Sequence, residues 1–106
     1  MFPLKVNATL SLDEEIFREI AAQARRVDRS LSQFVTRILA AHIEAVEQGK
    51  APRAIEFIDQ PRRKKRAVTL TIDSHVLEKT REYAQLDVRP LSQYVNLVLR
   101  YYLIGR

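Results

Sequence analysis

Asn7-Ala8-Thr9-Leu10-Ser11-Leu12-Asp13 returns sixty positions later as Ala67-Val68-Thr69-Leu70-Thr71-Ile72-Asp73, and a helical pattern follows each copy at once. In both stretches small or polar residues alternate with aliphatic ones, the period of two expected of a strand with one buried and one open face. A single strand this short is not stable by itself, whereas a two-stranded ribbon backed by helices is. The economical arrangement pairs the copies with each other. It presents Asn7, Thr9, Ser11, Ala67, Thr69 and Thr71 together on the outer face.

The first strand is expected to reach back to Lys5 and Val6. After it, Asp13 is placed to cap a helix, and Glu14 and Glu15 put negative charge in the first turn, where the helix dipole favours it. Ile16, Phe17, Ile20, Ala24 and Val27 recur at helical spacing and leave Arg18, Glu19, Gln23, Arg25 and Arg26 outside. The run from Val27 to Ser30 reads as a tight turn, with Asp28 in a left-handed position and Ser30 as the next N-cap. Leu31, Phe34, Val35, Ile38, Leu39, His42, Ile43 and Val46 then form the broader stripe of a more deeply buried helix, which Gly49 ends. The second unit follows the same plan. Asp73 caps a helix with Val76, Leu77, Thr80 and Ala84 facing inward, and a last helix carries Leu91, Tyr94, Val95, Val98, Leu99, Tyr102 and Leu103 as far as Gly105.

An ungapped comparison of 9–43 with 69–103 finds ten identities in thirty-five positions, where unrelated sequences give about two. They include Ala24/Ala84, Arg29/Arg89, Leu31/Leu91, Ser32/Ser92, Gln33/Gln93 and Val35/Val95. The expected organisation is a first unit over 1–49, a basic linker over 50–66 and a second unit over 67–106. A half of this size buries too little apolar surface to fold unaided, so the expectation is one closed body built from two halves.

The net charge of +5 is concentrated in the linker: residues 50 to 66 hold seven cations against two anions, and the remainder balances at eleven of each. Lys50, Arg53, Arg62, Arg63, Lys64, Lys65 and Arg66 run into the second strand and so flank its outer face. Pro52 and Pro61 argue against continuous helix there, while Ile55-Glu56-Phe57-Ile58 is too apolar for a plain tether and is expected to dock somewhere. From Gly49 to Arg66 the chain spans up to about 55 Å when extended, ample for pairing the two strands.

Other function classes find little support. The chain has no cysteine and only two histidines, His42 and His75, which lie far apart in sequence; this argues against structural zinc, thiol chemistry and iron–sulfur ligation, and no metal or other cofactor is expected. No nucleophile, base and orienting group fall at useful spacing, and Gly49 and Gly105 are the only glycines, so no phosphate-cradling loop is present. The expectation is a non-enzyme. No window approaches the roughly 20 apolar residues of a membrane span, and Met1 to Val6 do not read as a signal sequence. A soluble, cytoplasmic protein is expected. Among the tyrosines, Tyr94 and Tyr102 repeat the core positions of Phe34 and His42, which leaves Tyr101 as the exposed one.

Strand, helix, tight turn and helix in about forty residues, opened by Thr69-Leu70-Thr71-Ile72-Asp73 in one copy and carrying Arg29-Ser30-Leu31-Ser32-Gln33-Phe34-Val35 in the other, resembles the ribbon-helix-helix family of the Arc and MetJ type. The resemblance covers nearly the whole chain, twice. It implies an α+β, mostly α, fold in which an antiparallel ribbon enters the DNA major groove above intertwined helices. Here both strands lie in one chain, as an intramolecular pseudo-dimer. By position the resemblance implies base reading by Asn7, Thr9, Ser11, Ala67, Thr69 and Thr71. It implies phosphate contacts by Ser30, Leu31 and Ser32 and by Leu91 and Ser92, to which Lys5, Arg62, Arg63, Lys64, Lys65 and Arg66 add flanking charge.

Two positions depart from the pattern. The turn glycine common in the family is Asp28 in one copy and Val88 in the other; a β-branched residue resists positive φ, so the second turn is expected to be built differently. Pro90 replaces the capping Ser30 and weakens the second phosphate clamp. The resulting expectation is a sequence-specific double-stranded DNA-binding transcriptional regulator, a repressor by type, whose pseudo-dimers can associate on adjacent sites. The competing expectations are a DNA-binding accessory of plasmid transfer or partition, and an antitoxin-like module that binds a protein.

Overall fold

The computed structural model describes residues 4–52 and 64–105. Strand β1 (Lys5–Asp13) leads into α1 (Glu14–Arg26) and α2 (Leu31–Glu47); β2 (Lys65–Asp73), α3 (Ser74–Leu86) and α4 (Leu91–Ile104) repeat the order. The strands pair antiparallel with each other, with Thr9 opposite Thr69. Because these residues also correspond in the repeat, a pseudo-twofold axis passes between them. The architecture is the expected one, a two-stranded ribbon over four helices. β2 begins at Lys65, two residues before the expected start of the second unit, so the end of the basic run is strand.

The alternating pattern buries Ala8, Leu10, Leu12, Val68, Leu70 and Ile72 beneath the ribbon. They meet Val35, Ile38 and Leu39 of α2 and Tyr94, Val95, Val98 and Leu99 of α4 in one core shared by both units. Helix α4 is the most enclosed element, with Tyr94 to Leu99 buried without interruption.

The units interlock at the sheet edges. The Ser11 amide donates to the Ser92 hydroxyl at 2.9 Å and the Thr71 amide to the Ser32 hydroxyl at 3.0 Å, so each strand is latched to the start of the other unit's second helix. An exposed edge amide invites pairing with another chain; here a serine covers it. At the strand ends the Glu14 amide reaches the Lys64 carbonyl at 2.9 Å and the Ser74 amide the Leu4 carbonyl at 2.7 Å, the same bond seen from either side of the axis.

Both tight turns close in the same way, contrary to the expectation for the second. Asp28 has φ 54° and Val88 φ 52°. In the first turn the amides of Asp28 and Arg29 bond the carbonyls of Arg25 and Ala24; in the second, those of Val88 and Arg89 bond Gln85 and Ala84. This is the Schellman ending, which requires a left-handed residue after the helix. Val88 adopts it because two backbone bonds and the docking of α3 and α4 outweigh the cost of a β-branched side chain there, and because its side chain meets no crowding, being 90% exposed. Gly49 has φ 72° and ends α2 by the same motif.

Three local expectations change. Asp13 does not cap α1 with its side chain; the carboxylate instead bonds Arg100 at 2.9 Å and also pairs with Lys65. Asp73 does cap α3, accepting from the amides of His75 and Val76. Gln23 is buried, because it continues the row set by Ile16 and Ile20, whereas Val27 lies past the last helical turn and is exposed. The proposed docking of Ile55 to Ile58 lies outside the described residues.

Candidate nucleic-acid interface

The outer face of the ribbon carries Asn7, Thr9, Ser11, Ala67, Thr69 and Thr71, all exposed, while every intervening residue from Ala8 to Leu12 and from Val68 to Ile72 is buried. At the centre the Thr9 and Thr69 hydroxyls share a hydrogen bond of 2.9 Å across the pseudo-twofold axis. To one side the Thr71 hydroxyl donates to Asn7 Oδ1 at 3.0 Å. On the other side Ser11 faces Ala67, which has nothing to bond.

The N-terminal turns of α2 and α4 flank opposite ends of the ribbon. Ser30 heads α2 with a reciprocal cap: its hydroxyl accepts from the Gln33 amide at 3.1 Å, and its own amide donates to the Gln33 side chain at 3.3 Å. Pro90 heads α4 and provides no side-chain cap. Leu31 and Leu91 turn their side chains toward the core, so only their amides face outward at the helix starts. Ser32 and Ser92 spend one acceptor site on the strand amides and keep a hydroxyl proton to donate.

A shallow depression beside the start of α2 is lined by Lys5, Arg29, Ser30, Ser32, Arg37 and Thr71, among others. Arg29 and Arg37 were not singled out from the sequence. Arg29 offered a signal, since it precedes the helix in both copies. Arg37 offered none, because its counterpart is the buried Leu97. At the α4 end, Arg89 is held by Asp87 at 2.7 Å.

The basic run divides into separate roles. Lys64 is exposed. Lys65 pairs with Asp13, whose carboxylate is almost completely buried, and Arg66 follows the helix side of the strand, where its guanidinium lies 4.6 Å above the Phe17 ring. Arg62 and Arg63 lie outside the described residues.

Asn96 was also missed, having only a helical position among apolar neighbours to mark it. Its Oδ1 accepts from the Asp13 amide at 2.8 Å, and its Nδ2 donates to the carbonyls of Ser11 at 2.8 Å and Ser92 at 3.0 Å. Tyr101 is half-buried rather than exposed, because it packs edge-on against His42 with ring centroids 5.6 Å apart. Burial lowers the His42 pKa from its ordinary value. The Tyr94 phenol is pushed up to about 12, by burial first and then by Asp87 and Tyr83. Among the described residues no His, Cys, Asp and Glu side chains converge as a metal site, and no helix is long and apolar enough to cross a membrane.

No family model matches this sequence, and no curated protein or solved structure does so.

Proposed function

We propose that the protein binds double-stranded DNA in a sequence-specific manner, laying the β1–β2 ribbon in the major groove, and that it acts as a transcriptional repressor of the ribbon-helix-helix kind. The observation that carries this reading is the ribbon itself: six exposed small side chains on one face, the opposite face fixed to a shared core, and a helix N-terminus at each end. A ribbon of two strands spaced about 4.8 Å apart fits a major groove about 12 Å wide. Asparagine suits the two hydrogen-bonding edges of adenine, hydroxyls suit either polarity, and threonine and alanine methyls suit the thymine methyl.

In this mode the axis between Thr9 and Thr69 lies over the centre of the site. The amides of Leu31 and Ser32 at one end, and of Leu91 and Ser92 at the other, bind backbone phosphates, as helix N-termini do. Lys5, Arg29, Arg37 and Lys64 supply the salt-dependent part of the affinity.

Selection of bound sequences from a random duplex pool tests the proposal. The expected result is an enriched motif, with binding that weakens as salt rises. Replacing Thr9 or Thr69 by alanine should erase preference at the centre and leave non-specific binding nearly unchanged, whereas Lys5→Gln or Lys64→Gln should weaken binding to every sequence and flatten the slope of log affinity against log salt by about one. Absence of duplex binding at low salt, with ribbon variants instead abolishing capture of a protein partner, overturns it.

A further inference from the structure

The two ends of the ribbon are related by the pseudo-twofold axis, yet they are chemically different. At the first end Asn7 stands opposite Thr71, and the Thr71 hydroxyl donates to Asn7 Oδ1 at 3.0 Å. That bond uses one of the two lone pairs on the amide oxygen and leaves the second lone pair and both amide protons for another partner. The side chain is therefore held in one orientation before any ligand arrives. The equivalent cross-strand pair at the second end is Ser11 and Ala67, which offers one hydroxyl and one methyl.

The surroundings repeat the difference. Lys5, Arg29 and Arg37 stand about the first end together with Asp73, whose carboxylate is turned to capping α3, and none of the three cations has an ion-pair partner among the described residues. Their counterparts are Lys65, paired with Asp13; Arg89, paired with Asp87; and Leu97, buried in the core, so that exposed Lys64, set against Leu4 by the repeat, is the cation the second end keeps for phosphate among the described residues. The helix start at the first end has a serine cap, and that at the second a proline.

We infer that the protein reads a non-palindromic DNA site whose sequence information is concentrated in the half that faces Asn7 and Thr71, with Asn7 as the base-reading residue and Thr71 as the residue that positions it. This inference rests on the DNA-binding proposal above. The half that faces Ser11 and Ala67 contributes contact area and tolerates base changes.

The test is random-pool selection with the wild-type chain and with Asn7→Ala, Thr71→Val and Ala67→Asn, each first checked for a native circular dichroism spectrum and unfolding transition. Beyond the central positions that face Thr9 and Thr69, the wild type should enrich a motif with its fixed positions on one side of the centre. Asn7→Ala should remove them, weakening the preferred site by about 5- to 150-fold with little change on unrelated duplex. Thr71→Val keeps the shape and strand preference but loses the hydroxyl. It should weaken discrimination at the same base pair as Asn7→Ala, and the double variant should be no worse than Asn7→Ala alone, as coupled residues require. Ala67→Asn should add fixed positions on the opposite side.

A wild-type motif that is palindromic, or equal losses from both half-sites on changing Asn7, overturns the inference while leaving DNA binding intact. So does binding without any motif. Additive effects of Asn7→Ala and Thr71→Val overturn the positioning role, and absence of duplex binding removes the proposal beneath both.

Discussion

Asn96 holds one end of the ribbon on α4, and its replacement by leucine isolates what that latch contributes. The substitution keeps the side-chain size and removes three hydrogen bonds, of 2.8, 2.8 and 3.0 Å. The Asp13 amide is then orphaned in a residue only 3% exposed, a cost of about 1–3 kcal/mol. The Ser11 carbonyl belongs to an exposed residue and is rewetted, so only the net value of its bond is lost, about 0.5–1.5 kcal/mol. The Ser92 carbonyl remains in the helix ladder. Leucine recovers about 1–2 kcal/mol through apolar burial, and the net loss comes to about 1–3 kcal/mol. In a chain of this size that lowers the melting temperature by roughly 5–20 °C.

Urea unfolding followed by far-ultraviolet circular dichroism measures the loss, with an unchanged dependence on denaturant as the sign that the fold is the same. The control is built into the repeat. Thr36 occupies the equivalent position in α2 without this network, and Thr36→Ala should change stability by no more than about 0.5 kcal/mol. Equal losses at Asn96 and Thr36, or a loss below half a kilocalorie at Asn96, would refute the reasoning.

Other substitutions probe the turns, the core and the buried histidine. Val88→Gly should stabilise the protein by about 1 kcal/mol, because it relieves the positive φ of a β-branched residue, and Asp28→Gly by less; the unfolding midpoint reads both. Leu39→Ala and Leu99→Ala, each removing a side chain at most 1% exposed, should cost about 2–5 kcal/mol in the same assay. His42 is held neutral by burial, with Nε2 enclosed and unbonded among the described residues. Its folded pKa is depressed, so the stability it contributes is present above the unfolded value of about 6.5 and declines as pH falls through and below it. His42→Leu should flatten that decline in a pH series of unfolding midpoints.

The strand pairing was legible because alternation and an ungapped repeat constrain each other. Once Thr9 corresponds to Thr69, an antiparallel ribbon centred on that pair buries Leu10, Leu12, Leu70 and Ile72 on one side and opens six positions on the other. The core stripe of α2 was legible for the same reason. The cap at Asp73 was legible too, but the departure at Asp13 was not, since an identical residue in the same local pattern has different work in the two halves. Only Arg100 and Lys65, distant in sequence, take Asp13 away from its helix. Val88 misled in the opposite direction, because intrinsic φ preference is a cost of about 1–2 kcal/mol that tertiary docking exceeds. Arg37 was invisible: its value comes from standing beside Lys5 and Arg29 in space, and nothing in the repeat marks it.

The pattern of identity between the halves separates what the backbone requires from what each half does alone. Ala24 and Ala84 are each 2% exposed, and their carbonyls receive the amides of Arg29 and Arg89 in the turns. Ser32 and Ser92 cover the edge amides of Thr71 and Ser11. These demands are the same on both sides of the axis, and the residues are the same. The side chains of Asn7/Ala67, Ser30/Pro90 and Arg37/Leu97 serve no backbone group common to both halves, and a single chain leaves such pairs free to differ, whereas a homodimer repeats every residue. It follows that Ser32→Ala and Ser92→Ala should destabilise the fold alike, by about 0.5–1.5 kcal/mol each, because each uncovers one partly solvated strand amide. The unfolding assay compares them directly. A loss at one serine with none at the other would mean that the matching bonds do not carry matching weight, and identity between the halves would then no longer mark a common structural demand.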